Sequence, residues 1–304
     1  MPDINFVTFC TSDYLIQAAS LIDSIINVHE ESIVYFVGLD KLSKNTIAQK
    51  HLFNKNIKVI DFGTLDDLIE EKQISERPFK EKIFALKPVI ISKILDFIPE
   101  ENFLIYCDSD LFFYRKFSSS DGMKSILLTK HKFANHLSKH QTYGIYNAGL
   151  VGFRNNEVGK SILEWWKIRC LESTDLQNKD GIYGDQKYLE YFSNLTDEIS
   201  IEDNYAINQG MWSISSDELI LSGTKICNQE LQCFHFHGLK LSKFLIKTGI
   251  SRYGKLRNEK DIFKYIYQPY LEVLRQNKKY GKSKITIPVR WLSKGLQKYE
   301  YRIF

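Results

Sequence analysis

Short apolar, β-branched runs alternate along this chain with stretches whose apolar residues recur at helical spacing. INFVTF (residues 4–9) predicts a buried strand. TSDYLIQAASLIDSI follows, with Thr11, Ser12 or Asp13 able to cap a helix whose apolar face holds Leu15, Ala18, Ala19 and Ile22. IVYFVG (33–38) and KVIDF (58–62) predict two more strands, with a polar, helix-compatible stretch at 43–53 between them. Residues 70–82 are charged and predict a loop or exposed helix. FALKPVIISKIL (84–95) predicts a helix, with Pro88 near its start or at a kink. FLIYC, SILLT (125–129), IYNAGLVGF (145–153) and LQCFHFHG (231–238) predict strands. Helices are expected at 157–171, from GDQKYLEYF (184–192), where Asp185 could also serve as an N-cap, and at 261–276. Strands alternating with helices predict an α/β fold with a mostly parallel central sheet flanked by helices. There is no internal repeat and no low-complexity linker.

The run FLIYCDSDLFFY breaks this pattern with two carboxylates, Asp108 and Asp110, in apolar surroundings. An unpaired buried carboxylate costs several kcal/mol or takes up a proton. The pair therefore turns to water at the strand end or holds something positive. In open α/β sheets ligands collect at the carboxyl ends of strands. Two carboxylates two residues apart can approach one Mg²⁺ or Mn²⁺; a surface Asp-Ser-Asp turn is the plainer alternative. In HFHG, strand alternation puts His235 and His237 on one face and Phe234 and Phe236 on the other. Either imidazole could be a third ligand, or an ordinary core or surface histidine. Lys240 and Lys243 follow and could meet a phosphate.

Composition changes the picture only in places. Hydrophobic content of 43% and charged content of 26% fit an ordinary soluble globular chain. The 304 residues allow one large α/β domain with a helical extension. A net charge of +4 is too small to argue for nucleic acid, and no nucleic-acid motif is present. The charge is unevenly spread: residues 278–302 contain one acid, Glu300, among many lysines and arginines. With Tyr280, Trp291, Tyr299, Tyr301 and Phe304 this tail fits either peripheral contact with an anionic membrane or a solvated segment packed on its own domain. Five cysteines, an odd number without CxxC, read as reduced thiols of a cytoplasmic protein. No secretory signal or membrane-length apolar run is apparent.

The segments INFVTFCTSDYLIQAASLIDSI, ALKP, FLIYCDSDLFF, YNAGLVGF, GDQKYL and HFHG, in that order, resemble GT-A glycosyltransferases. The likeness is strongest to the family-eight group, which includes glycogenin and bacterial lipopolysaccharide galactosyl- and glucosyltransferases. It spans residues 4–243 and implies a GT-A catalytic domain over 1–240 followed by a helical basic extension over 241–304. It also implies transfer of a hexose from a UDP-sugar to a glycan or lipid-linked acceptor, with retention, in bacterial surface polysaccharide or lipopolysaccharide synthesis. By the same resemblance Thr8, Phe9 and Cys10 line the uridine site and Tyr14 stacks on the base. Lys87 reaches the donor, with Lys82 as its competitor. Asp108, Asp110 and His235 hold Mn²⁺ (or Mg²⁺), with Ser109 beside the donor. Asn147, Ala148 and Gly149 stand where the family has Asn-Ser-Gly, and Asn147, Asp185 and Gln186 face the donor sugar and the reacting centre. Gly238 and Lys240 meet the diphosphate. After HFHG the family's Lys-Pro-Trp is replaced by LKLSKF, so the lysine's register stays open between Lys240 and Lys243. The choice between same-face attack by the acceptor and a covalent route through Asp185 also stays open.

Other classes fit less well. A sugar-nucleotide pyrophosphorylase would carry a Gly-rich basic loop after the first strand, which TFCTSDY lacks. A DxD phosphatase would have Thr or Val where Phe112 stands. A non-catalytic nucleotide-sugar binder would not need Asp108, Asp110, Asp185 and His235 together.

Overall fold

The computed structural model describes residues 3–119, 123–177, 181–214, 221–241, 246–250, 253 and 259–281. A seven-stranded sheet runs in the order β3-β2-β1-β4-β7-β6-β8. Its strands are β1 (Ile4–Cys10), β2 (Val34–Gly38), β3 (Ile57–Ile60), β4 (Phe103–Cys107), β6 (Ile126–Thr129), β7 (Leu150–Arg154) and β8 (Ile199–Glu202). All neighbours are parallel except β7, which runs antiparallel to both β4 and β6. The predicted α/β class and mostly parallel sheet are the observed ones.

Helices cover both faces, which is why the strands read as unbroken apolar runs rather than clean alternations. Period-2 geometry sends Val7, Tyr35, Val37, Leu104 and Tyr106 to one face. There they meet α4 (Phe79–Leu95) and α5 (Glu157–Glu172) through Leu86, Ile90, Leu163 and Trp166. Phe6, Phe36, Phe103 and Ile105 point the other way, onto Leu15, Ala18 and Ile22 of α1 (Leu15–Val28) and Ile47 of α2 (Lys41–Lys50). The charged region after β3 forms α3 (Leu65–Glu71), and α4 starts at Phe79, earlier than expected, continuing through Pro88. No side chain of Thr11, Ser12 or Asp13 caps α1; a 3₁₀ turn at Ser12–Tyr14 leads into it. Ser12 instead donates from its backbone N–H (2.6 Å) and hydroxyl (2.7 Å) to Asp40, the N-cap of α2. This ties the loop after β1 to the end of β2.

Beyond the sheet, β5 (Leu111–Phe113) pairs antiparallel with β12 (Cys233–His235). A small three-stranded sheet comprises β9 (Leu221–Ser222), β10 (Lys225–Ile226) and β11 (Gln229–Glu230), and β13 (Lys240–Leu241) pairs with β14 (Ile246–Lys247). A third core cluster joins Phe112, Trp212 of the single-turn helix α6 (Met211–Ile214), Phe234 and Phe236 to the C-terminal helices. Those helices run through α7 (Glu259–Asp261), a π-helical stretch Ile262–Tyr267 and α8 (Gln268–Asn277). Asn277 donates to Ser20 (3.2 Å) and Asp23 (2.7 Å), which seats the end of α8 on α1. The basic tail beyond Gly281, and with it the expectation of a membrane contact, lies outside the described residues. Among the described residues no helix is long and apolar enough to cross a membrane. All five cysteines are free thiols.

His29 closes the end of α1. Its ring lies edge-on to Phe6 and Phe113, and Nε2 accepts from the Phe117 N–H at 3.0 Å. Burial, aided by Lys116, lowers its pKa from 6.5 to about 4. His51 is likewise lowered to about 4, chiefly by burial, and His131 to about 3. Each binds a proton in the unfolded chain, but not in the folded one, between its folded value and 6.5. Stability therefore falls as pH falls through that window. Urea midpoints should drop between pH 6.5 and 4, and His29→Gln should reduce the proton uptake on unfolding there by about one.

Candidate active site

One cavity of about 570 Å³ opens at the carboxyl ends of β1 and β4. β4 ends at Cys107, and the chain turns through Asp108–Asp110 before starting β5. The β5–β12 register sets His235 opposite Leu111, and the Phe236 N–H donates to the Asp110 carbonyl at 2.8 Å. This pairing brings a histidine from late in the chain to the two aspartates. His235 Nε2 lies 3.1 Å from Asp110 Oδ1 and 3.9 Å from Asp108 Oδ2. Oxygen and nitrogen donors of Asp108, Asp110 and His235 all fall within 4.8 Å of one another. Two carboxylates and an imidazole converging this closely fit a Mn²⁺-type ion. Burial favours a neutral Asp110, but the facing His235, His237 and a backbone hydrogen bond together hold the carboxyl below its ordinary value. Burial likewise disfavours charge on His235, but Asp110 and Asp108 together raise its pKa above the usual one. A divalent cation would take that proton's place.

The second charged group centres on Lys87, only 2% exposed in α4. Its Nζ lies 2.7 Å from Asp185 Oδ2 and 3.4 Å from Asp108 Oδ1, and it donates to the Ala148 carbonyl at 3.1 Å. Burial works against its charge, but Asp108 and Asp185 more than restore it and raise its pKa. Asp185 is raised by burial, which Lys87 only partly offsets. Asp185 is not a helix cap: the 3₁₀ helix Lys187–Asn194 starts after Gln186 without a side-chain cap, and the carboxylate turns to Lys87. Trp166 of α5 fixes the Asp185 carbonyl at 2.9 Å.

Between these groups lies Asn147–Gly149, which is loop rather than the predicted strand. Asn147 Oδ1 accepts the Gly149 N–H at 2.7 Å, a local turn that competes with the sheet, so β7 begins only at Leu150. Gly149 is needed for space. A Cβ there would stand 2.8 Å from both Asn147 Oδ1 and His235 Nδ1.

The cavity is also lined by Phe9, Cys10, Tyr14, Ser109, Ala148 and Gln186 among the residues singled out in the sequence. Tyr14 is 45% exposed at the rim, open to a planar ligand. Ser109 donates to the Phe9 carbonyl at 3.1 Å, joining the aspartate turn to the β1 loop. Gln186 Nε2 donates to the Tyr143 carbonyl at 3.0 Å. Thr8 is buried in β1 behind the lining. Gly238 (φ +81°) and exposed Lys240 do not line the cavity, nor does Lys82; Lys243 lies outside the described residues. His237 does line it, with Nδ1 2.5 Å from the Tyr253 hydroxyl.

Three contributors carried no motif. Tyr106 donates to Asp108 Oδ1 at 2.6 Å, and the alternation in FLIYC, which puts Tyr106 on the face of Asp108, could have revealed it. Trp212 comes from the single-turn α6 and the stacked His131–Phe133 pair from the loop after β6, neither with a periodic signal.

No protein-family profile matches this sequence. It is 27% identical over 249 residues to YfnF of Bacillus subtilis, covering 78% of this chain and 82% of YfnF. It is 21% identical over 286 residues to YfnD of the same organism, covering 91% and 90%. The galactosyltransferase LgtC, solved in complex with donor and acceptor sugar analogs, superposes with a TM-score of 0.55 at 14% identity, covering 90% of this chain and 95% of LgtC. The glycosyltransferase GlyE of Streptococcus pneumoniae gives 0.50 at 17%, covering 93% and 66%. The bifunctional glycosyltransferase WbbM gives 0.53 at 12%, covering 93% and 52%. The chain has the GT-A glycosyltransferase fold.

Two outcomes follow from this geometry. Gly149→Ala should displace the His235 ring and weaken Mn²⁺ binding about 10–100-fold, read by Mn²⁺ titration with circular dichroism as the control for folding. Lys87→Met should cost about 3–5 kcal/mol of stability, because two carboxylates lose their buried cation. Adding Asp185→Asn should recover part of that loss in urea denaturation.

Proposed function

We propose that the protein is a metal-dependent, retaining glycosyltransferase of the family-eight kind. It moves a hexose from a UDP-sugar to a glycan or glycolipid acceptor in bacterial surface-polysaccharide assembly. The observation that carries this reading is the convergence of Asp108, Asp110 and His235 with the Lys87–Asp185 pair in one cavity at the carboxyl end of the sheet. LgtC, which shares the fold, was solved with donor and acceptor sugar analogs, which supports the substrate class.

In this reading the loop from Phe9 to Tyr14 takes the nucleobase. Asp108, Asp110 and His235 hold a Mn²⁺ or Mg²⁺ ion, which when bound neutralises charge on the departing diphosphate. Asn147, Asp185 and Gln186 face the hexose. Lys87 holds the Asp185 carboxylate at 2.7 Å and leaves it 3% exposed. That pairing suits a carboxylate that orients a sugar hydroxyl better than one that attacks the anomeric carbon. The acceptor then approaches on the face from which UDP departs, and the leaving phosphate takes its proton. The apolar walls keep competing water from an oxocarbenium-like centre.

The test is thermal stability against a panel of nucleotide sugars, with and without Mn²⁺, on wild type and Asp110→Asn. A UDP-sugar at about 100 times its dissociation constant should add about 2.7 kcal/mol, only with Mn²⁺ and only in wild type. Slow release of UDP in the same mixture should separate an enzyme from a binder. Absence of a shift with every sugar nucleotide on folded protein would overturn the reading.

A further inference from the structure

We propose that the aromatic wall on the β6 side of the cavity is a platform for an uncharged oligosaccharide acceptor, with Tyr143 and Tyr183 as its specificity-determining residues. The inference deepens the glycosyltransferase reading above and rests on it for the role of acceptor.

In the strand order β3-β2-β1-β4-β7-β6-β8, the Asp108–Asp110 turn at the end of β4 stands between two halves of the cavity. Toward β1 and β2 the lining is Cys10, Thr11, Tyr14 and Leu39, the end proposed for the nucleobase. Toward β6 it is a run of rings. His131 and Phe133 stack at 4.6 Å, and Phe133 lies 5.9 Å from His140. His140 is 5.7 Å from Tyr143, which is 4.3 Å from Tyr183. Phe133, His140, Tyr143 and Tyr183 are half-buried and all line the cavity, so each keeps part of its ring surface open. A donor anchored at the β1 end and reacting over the aspartate turn leaves this opposite wall to the second substrate.

The rings choose the chemistry of that substrate. The C–H groups on one face of a pyranose are weakly positive and meet the negative face of an aromatic ring. Several open rings in succession suit more than one sugar unit. The wall also lacks a cation for an acidic sugar. The two lysines among the described lining residues, Lys80 and Lys87, both belong to α4, and Lys87 is already held by Asp108 and Asp185. Burial, with Tyr143 alongside, raises the Tyr183 pKa and keeps that phenol neutral. A uronic acid or phosphorylated sugar laid here would lose water without gaining a positive partner. The wall is held in place before any ligand arrives, which lowers the entropic cost of binding. Gln186 donates to the Tyr143 carbonyl at 3.0 Å, Glu190 accepts the Ile145 N–H at 2.9 Å, and His131 Nδ1 meets the Gly144 carbonyl at 3.1 Å. Gly144 itself has φ +128°, and a Cβ there would stand 3.1 Å from the Gln186 side chain. Gln186, proposed to face the donor hexose, thereby also sets the position of Tyr143 and keeps a sugar on the platform in register with the reacting centre.

The deciding measurement is binding of the full chain, with UDP and Mn²⁺ present, to a printed array of neutral, uronic-acid and phosphate-bearing glycans. Wild type should bind neutral glycans of two or more sugars and pass over the acidic ones. Tyr143→Ala and Tyr183→Ala should weaken that binding about 10-fold, while Tyr143→Phe, which keeps the ring, should retain it. Phe133→Leu should weaken it as well, and it decides the matter if the two alanine variants fail to fold by circular dichroism. Calorimetry with UDP and Mn²⁺ reads the donor side of each protein separately. A preference for acidic glycans, binding to no glycan, or unchanged binding in a folded variant that has lost a ring would overturn the proposal. Wild type that binds neutral glycans through these rings but takes up no UDP would instead overturn the glycosyltransferase reading and leave the platform standing as a glycan site.

Discussion

An ammonium group with almost no contact with water has to be met by negative charge, and Lys87 is met from two directions. Asp108 arrives from the end of β4 and Asp185 from the loop before the 3₁₀ helix at Lys187–Asn194. The Ala148 carbonyl supplies a third partner from the loop before β7. Three segments distant in sequence are therefore pinned to one atom of α4. The cavity takes its shape from that pin, because its charged floor cannot spread without leaving a buried charge uncompensated. Tyr106 strengthens the arrangement by holding the same Asp108 oxygen that faces Lys87. Asp108 Oδ2 is thereby left on the side of His235.

The division of Asp108 between two neighbours gives the site its polarity. One oxygen belongs to the tyrosine–lysine side and the other to the Asp110–His235 side. Asp110 and His235 stabilise each other's charge, as the opposite directions of their pKa changes show. A cation entering there would meet ligands already in place, at the point where the strand order of the sheet brings β1 and β4 together.

The C-terminal helices belong to this story through packing. Phe236 stacks on Tyr270 of α8 at 4.0 Å, and Phe112 lies 5.3 Å from the same ring. These aromatic contacts clamp the β5–β12 ribbon from behind. The ribbon's register decides whether His235 or a neighbouring phenylalanine meets Asp110, since a one-residue slip reverses the faces.

The sequence by itself determined the class of fold and marked the DSD turn as a charged interruption that needs water or a positive partner. Strand and helix periods are local properties of the chain, and two carboxylates inside an apolar run need a local explanation wherever they occur. The apolar pattern over 145–153 becomes a strand only from Leu150, again for a local reason: the side chain of Asn147 satisfies the Gly149 N–H that a strand would have offered to its neighbour. Only the tertiary structure decided how the distant pieces meet. Strand alternation leaves the two histidines of HFHG equal and only the family resemblance separates them; the β5–β12 register places His235 against Asp110 while His237 pairs with Tyr253. GDQ reads as a helix cap until Lys87 is seen to take the carboxylate. Asn208 carries no motif, because its contacts depend on a left-handed backbone and on partners from two other segments, Thr129 of β6 and His235 of β12. Local patterns fix what each segment can do; burial and hydrogen-bond direction, set by the whole fold, fix which of those capacities each residue uses.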